Sequence, residues 1–277
     1  MDATGIAAEV AALLAEPEAA RKLALAESLC EAALRAPFDP RFARGAPLRP
    51  ARPAGWTVAG SRETPRRPDL RDPRGRRALV HSVAHIELSA VELALLAVAD
   101  FPGQPRAYYA DMLRVAQEEC AHARLLIARL GELGGELGEE PVHLGLWETA
   151  VRFDGLVERL AIVPRVLEAK GLDVSAPLRA GLRAAGDEES ARCLDRVYHD
   201  EIGHVAVGTR WFRVACAREG VDADARFLEL ARPFQPRRRA RSLDGEGRRA
   251  AGFSARELAA LAGDAGDASA TREEAAG

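Results

Sequence analysis

The chain has no C-x-x-C pair: its four cysteines, Cys30, Cys120, Cys193 and Cys216, lie scattered along it. That argues against a thiolate zinc site and for reduced, buried thiols in a cytoplasmic protein. No run of 18 apolar residues occurs, so no transmembrane helix and no membrane partner are expected. The start, Met1-Asp2-Ala3-Thr4-Gly5, lacks a basic stretch leading into an apolar one, so no secretory signal is expected. Charge of one sign is lacking too. A net charge of -3 does not suit the whole molecule to nucleic acid or an anionic membrane. There is no solenoid-type repeat, although the two halves of the central region echo each other. What the chain does have is 277 residues, 48% of them hydrophobic and 29% charged, enough apolar material for a real core in one large domain or two small ones.

Residues 5 to 36 are rich in Ala, Leu and Glu and read as one or two packing helices, the second starting at Pro17. Residues 37 to 76 carry eight prolines. Between 41 and 80 there are eleven arginines against Glu63, Asp69 and Asp72. Proline blocks helix propagation and lacks a ladder donor, so this is an extended wrapping segment. Its arginines either meet phosphate or, the favoured reading, pair with acidic residues elsewhere in the chain. Four long helices follow, over 76–100, 105–131, 146–170 and 188–218. A glycine-rich loop separates the second from the third, and a short helix near 176–185 precedes the fourth. The third is expected to end at Lys170-Gly171 and to kink at Pro164. Residues 219–262 wrap back through short helices anchored by Phe227, Leu228, Leu230, Phe234 and Phe253. Ser254-Ala255-Arg256-Glu257 has capping-box spacing, and 263–277 reads as a disordered tail. The expected divisions are thus 1–75, 76–218, 219–262 and 263–277.

Two of the long helices carry E-x-x-H: Glu119-Cys120-Ala121-His122 and Glu201-Ile202-Gly203-His204. Helical residues three apart point the same way, so each motif offers a carboxylate and an imidazole to one point. The other two helices each place a glutamate in an apolar stripe, Glu87 and Glu158. Register supports convergence. Glu87 lies 13 residues before Asp100 and Glu119 lies 14 after Pro105, both about 20 Å from the intervening turn. In the second half, Glu158 lies 13 before Gly171 and Glu201 lies 13 after Glu188. The connection between helices two and three spans up to about 50 Å when extended, enough to run the length of a helix.

Carboxylate and imidazole ligands suit iron or manganese. Four buried glutamates close together would repel one another without cations. Glu87, Glu119, His122, Glu158, Glu201 and His204 are therefore read as ligands of a two-metal site. Any one of them alone reads as readily as a solvent-facing glutamate or a hydrogen-bonded core histidine. His81 and His85 lie off the Glu87 face and read as packing or supporting residues. Glu118 and Asp200 are expected to point elsewhere, and His143 and His199 lie off any ligand face. Tyr198, one turn before Glu201, and Tyr108, three turns before Glu119, are equally candidates for proton or electron donation and for core packing. Ala84, Ala116 and Gly155, each one turn before a glutamate, either leave a substrate cavity or allow close helix packing.

The stretches His81-Ser82-Val83-Ala84-His85-Ile86-Glu87, Glu118-Glu119-Cys120-Ala121-His122, Val157-Glu158-Arg159-Leu160-Ala161 and Tyr198-His199-Asp200-Glu201-Ile202-Gly203-His204 closely resemble a bacterial family of ferritin-like proteins of unknown function, over about residues 35 to 260. The resemblance implies an all-α fold: a ferritin-like four-helix bundle with a long central crossover, plus N-terminal helical and C-terminal wrapping extensions. It implies the same six ligands, holding two Fe ions, two Mn or an Fe/Mn pair. The function expected is an oxygen- or peroxide-dependent oxidoreductase or hydroxylase. It would act on a small-molecule substrate with an external reductant, as a monomer or dimer. The alternatives are a ferroxidase or iron-handling protein without organic substrate, an RNA-base hydroxylase, for which the arginine-rich segment leaves room, and a protein whose metal only holds the bundle together. An oxygen-rich site argues against the last, because structural sites are normally closed and zinc-like.

Overall fold

The structure, a computed structural model, describes residues 5–36, 38–44, 49–60, 69–235 and 243–263. Parts of the Pro/Arg-rich segment and the tail after Gly263 lie outside them. Helices account for the regular structure. Among the described residues the sole β feature is one parallel bridge between Val58 and Val142. The chain forms two compact units.

The first unit comprises residues up to Asp154 together with Pro177–Asp200. It holds α1 (Gly5–Ala15), α2 (Ala19–Arg35), α3 (Pro73–Asp100), α4 (Arg106–Glu132) and α5 (Gly145–Ala150). Pro17 precedes α2 rather than opening it, since Glu18 is the N-cap. Asp72 caps α3 by accepting from the Arg74 amide, with Pro73 in the first turn, where its missing N–H costs nothing. Gly103, at φ 78°, turns the chain between α3 and α4, a conformation that favours glycine. The Tyr109 hydroxyl fastens that turn, donating to the Phe101 carbonyl and accepting from the Gln104 amide. The core joins Leu79, Val80 and Ala84 of α3 and Leu126 and Leu130 of α4 to Leu182, Ala191, Leu194 and Val197. By length and composition α3 is apolar enough to cross a membrane, but 72% of its apolar window is buried inside the fold. Continuous apolarity here reflects a helix covered over most of its surface, with Ile86 left exposed.

The second unit comprises Gly155–Ala176 and the chain from Glu201 onward. It begins with α6 (Leu156–Ile162), followed by a π-helical segment, Val163–Glu168. The expected continuous third helix over 146–170 is therefore corrected. The chain breaks between Ala150 and Leu156, and beyond the π segment α7 (Ala169–Ala184) runs through Gly171 and Pro177 instead of stopping. Glycine permits a stop but does not impose one. The wider π turns form where Pro164 cannot donate to the residue four back. Past α8 (Glu188–Glu219) come α9 (Ala223–Ala231), α10 (Gly245–Ala250) and α11 (Ala255–Ala262). The Ser254/Glu257 capping box forms as expected, and α11 ends at Gly263 in the left-handed region. Phe227 and Phe253 are buried, whereas Leu228, Leu230 and Phe234 are half-buried.

Among the described residues, five arginines of the wrapping segment and the start of α3 pair with acidic side chains distant in sequence. Arg44 meets Asp100 and Asp154, Arg49 meets Glu148, Arg52 meets Glu92, Arg76 meets Asp187 and Arg77 meets Glu139.

Candidate metal centre

In the first unit, the α3–α4 hairpin brings Glu87 level with Glu119 and His122. The Nδ1 atom of His122 lies 3.4 Å from Glu87 Oε2 and 3.4 Å from Glu119 Oε2. All three side chains are buried. On its other edge, His122 Nε2 lies 3.0 Å from Asp200 Oδ2 on α8. An ionised carboxylate can only accept, so Nε2 carries the proton and Nδ1 is the ring atom turned towards the two glutamates. Burial by itself would lower the imidazole's pKa. The carboxylates of Glu119 and Glu87 outweigh it and raise the pKa to about 10.

The geometry fits a shared cation. Donor atoms about 2.1 Å from one ion, set 90–110° apart around it, lie about 3.0–3.4 Å from each other. A hard oxygen and imidazole set is the donor chemistry iron and manganese accept. The proton that Glu119 and Glu87 favour on His122 would sit where such an ion would, between Nδ1 and the two carboxylates. Glu119 and His122 belong to a buried Glu/His cluster able to hold a metal ion.

In the second unit, His204 Nδ1 lies 3.6 Å from Glu201 Oε1, one helical turn away on α8, and both residues are buried. Gly208, one turn further on, lets Pro164 of the π segment pack against the helix. A Cβ there would come within 2.3 Å of the proline ring. Glu158 sits differently from expectation. It lies in the first turn of the short α6 rather than mid-helix, so the register argument that set it level with Glu201 fails. Its side chain is 26% exposed, and Oε1 accepts from Arg226 of α9. Its Oε2 occupies the space beside Gly155, where a Cβ would come within 2.0 Å of it. The smallness of Gly155 thus makes room for the chain's own carboxylate.

Of the tyrosines, Tyr108 is buried and donates to the Ala97 carbonyl near the hairpin turn, while the Tyr198 ring lies 4.3 Å from the Arg179 guanidinium. His81 accepts from the Gly138 amide through Nε2, and His143 accepts from the Gly145 amide through Nδ1. Glu118 and His199 are exposed. Ala84 is part of the hydrophobic core and Ala116 is fully buried. All four cysteines are buried, and burial pushes the Cys30 thiol up to about 12.

Asp200 was expected to point elsewhere, and the structure corrects this. A second polar cluster was missed. On the other face of α3, Glu92 accepts from Lys22 of α2 at 2.5 Å and from Arg52 at 2.6 and 2.9 Å. Arg52 Nε also donates to His85 Nε2. Burial, with Arg52 beside it, drives the His85 pKa down to about 2, so the ring is a neutral acceptor. The signal that singles out Glu87, a charge in an apolar run, applies equally to Glu92.

A family described as Protein of unknown function (DUF455) matches residues 15–259. The chain belongs to this family. It is similar to a protein of Haemophilus influenzae that bears the name uncharacterized protein. The two are 36% identical over 192 residues, 66% of this chain and 67% of the relative. No solved structure matches.

Proposed function

We propose that this DUF455 protein is a ferritin-like di-metal carboxylate protein. Glu87, Glu119, His122, Glu158, Glu201 and His204 would be the ligand set for two ions of iron, manganese or both. The observation that carries this reading is the bond between His122 and Asp200. The helix α8 is unbroken from Glu188 to Glu219, so Glu201 is the next residue along it. His204 lies about 6 Å further along the axis and about 40° around it. The helix that grips His122 through Asp200 thus continues directly into its own E-x-x-H pair.

Bound iron would supply the electrons for reducing dioxygen or peroxide, which the side chains cannot. The protein's own part is to offset the cations' charge with Glu87 and Glu119, to orient His122 through Asp200 and to exclude water by burial. The activity best fitting this is an oxygen- or peroxide-dependent oxidoreductase acting on a small substrate and re-reduced from outside.

The test is metal uptake by the full chain. Anaerobic titration with ferrous or manganous ion should give about two ions per chain. Affinity should rise with pH from 6.5 towards 10, because the ion must displace the proton that Glu119 and Glu87 hold on His122. Glu119→Ala or His204→Ala should abolish tight uptake. Wild-type protein that takes up neither ion would overturn the reading. Oxygen consumption tied stoichiometrically to added ferrous ion, with no turnover beyond it, would replace the oxidoreductase with an iron-handling protein.

A further inference from the structure

Three of the four glutamates assigned to the centre are buried, and Glu158 alone is half-exposed and held by an arginine. Its partner Arg226 is 28% exposed and also donates to Glu229 at 2.8 Å, so it keeps an acidic partner if Glu158 leaves. Ion pairs at this exposure are weak and readily exchanged. The contrast with Arg165 and Glu257 in the same unit is sharp. That pair is fully buried, and breaking it strands a charge. On the far side of the Glu158 carboxylate, Gly155 provides the space that Oε2 fills.

Resting on the metal-centre reading above, we propose that Glu158 is a switching ligand. Arg226 and the gap at Gly155 hold its carboxylate, and metal loading exchanges the guanidinium for the cation. The charge balance is direct. One carboxylate leaves a monovalent guanidinium, which stays paired with Glu229, and joins a divalent ion. The exchange removes one tie between α9 and α6, so the local stability of α9 reports whether the centre is filled. Arg226 is here a positioning residue that competes with the metal for Glu158.

The experiment titrates manganous ion into metal-free full-length protein and follows hydrogen exchange across Ala223–Ala231. Wild type, Arg226→Ala, Gly155→Ala and Glu158→Gln are compared. The ion should speed exchange in α9 of wild type and leave it unchanged in Glu158→Gln. Arg226→Ala should bind the ion about two- to fivefold more tightly, the worth of one exposed ion pair. Gly155→Ala keeps the arginine but displaces the stored carboxylate, and should shift affinity the same way. Should wild type fill with manganese while α9 exchange stays constant, the switch is wrong though the metal centre stands. Binding by Arg226→Ala no tighter than wild type has the same meaning. Wild type that takes up neither manganous ion nor, in the same titration repeated anaerobically, ferrous ion removes both proposals.

Discussion

At the scale of single residues, the decisive side chain is Asp200. Viewed on its own helix it is an acidic residue beside a ligand motif, and nothing in the motif says which of Asp200 and Glu201 faces α4. They differ by about 100° around the axis, but Asp200 and His204 differ by only about 40°, so a face broad enough for one admits the other. In the structure Asp200 accepts from His122 Nε2 and thereby fixes the tautomer that turns Nδ1 towards Glu87 and Glu119. Asp200→Ala should lower manganous-ion affinity by about tenfold to a hundredfold, the usual cost of losing a carboxylate behind a ligating histidine. Calorimetric titration checks it. Unchanged affinity would mean the imidazole is oriented by its packing alone.

At the scale of elements, the instructive segment is the one read as a single third helix. Pro164 was expected to kink it. Instead the chain widens into π turns over Val163–Glu168 and continues as α7. The π segment aims Arg165 inward. Its guanidinium lies 4.0 Å from the Phe227 ring centre and 4.6 Å from those of Phe212 and Phe253, and it donates to Glu257 and Thr209. Arg165→Ala leaves the Glu257 carboxylate buried without its cation and removes packing from three rings. It should cost about 3–5 kcal/mol in urea unfolding. A loss under about 1 kcal/mol would show that Glu257 finds another partner or protonates. Phe227 and Phe253 were legible as anchors, whereas Phe212 was not singled out. That the three rings surround a cation was not legible, because the four residues come from four separated stretches of sequence.

At the scale of the whole molecule, the arginine excess of the wrapping segment is a local imbalance that the fold offsets. Five of the described arginines pair with acids as distant in sequence as Glu148 and Asp187, and the net charge stays at -3. The compact units divide at Asp154, Ala176 and Asp200, which places the last two boundaries within α7 and α8. If the centre holds metal, binding is linked to folding. At a hundredfold excess over Kd the linkage is about 2.7 kcal/mol, or about 5–10 °C in Tm for a chain of this size. Scanning calorimetry with manganous ion against a chelator should show that shift, and identical midpoints would rule out a ligand-stabilised centre.

The sequence by itself determined the all-helical architecture and the positions of α3, α4 and α8, because apolar periodicity, a capping aspartate and a turn glycine act over a few residues. It also determined the two E-x-x-H pairs, since one helical turn fixes which side chains share a face. Tertiary structure alone decided which of the surrounding acids serve those pairs. Asp200 meets His122, Glu158 meets Arg226 and Glu92 meets Lys22 and Arg52 through contacts between residues dozens of positions apart. Such pairings depend on how helices rotate and stack against one another, and no local pattern in the chain encodes that rotation.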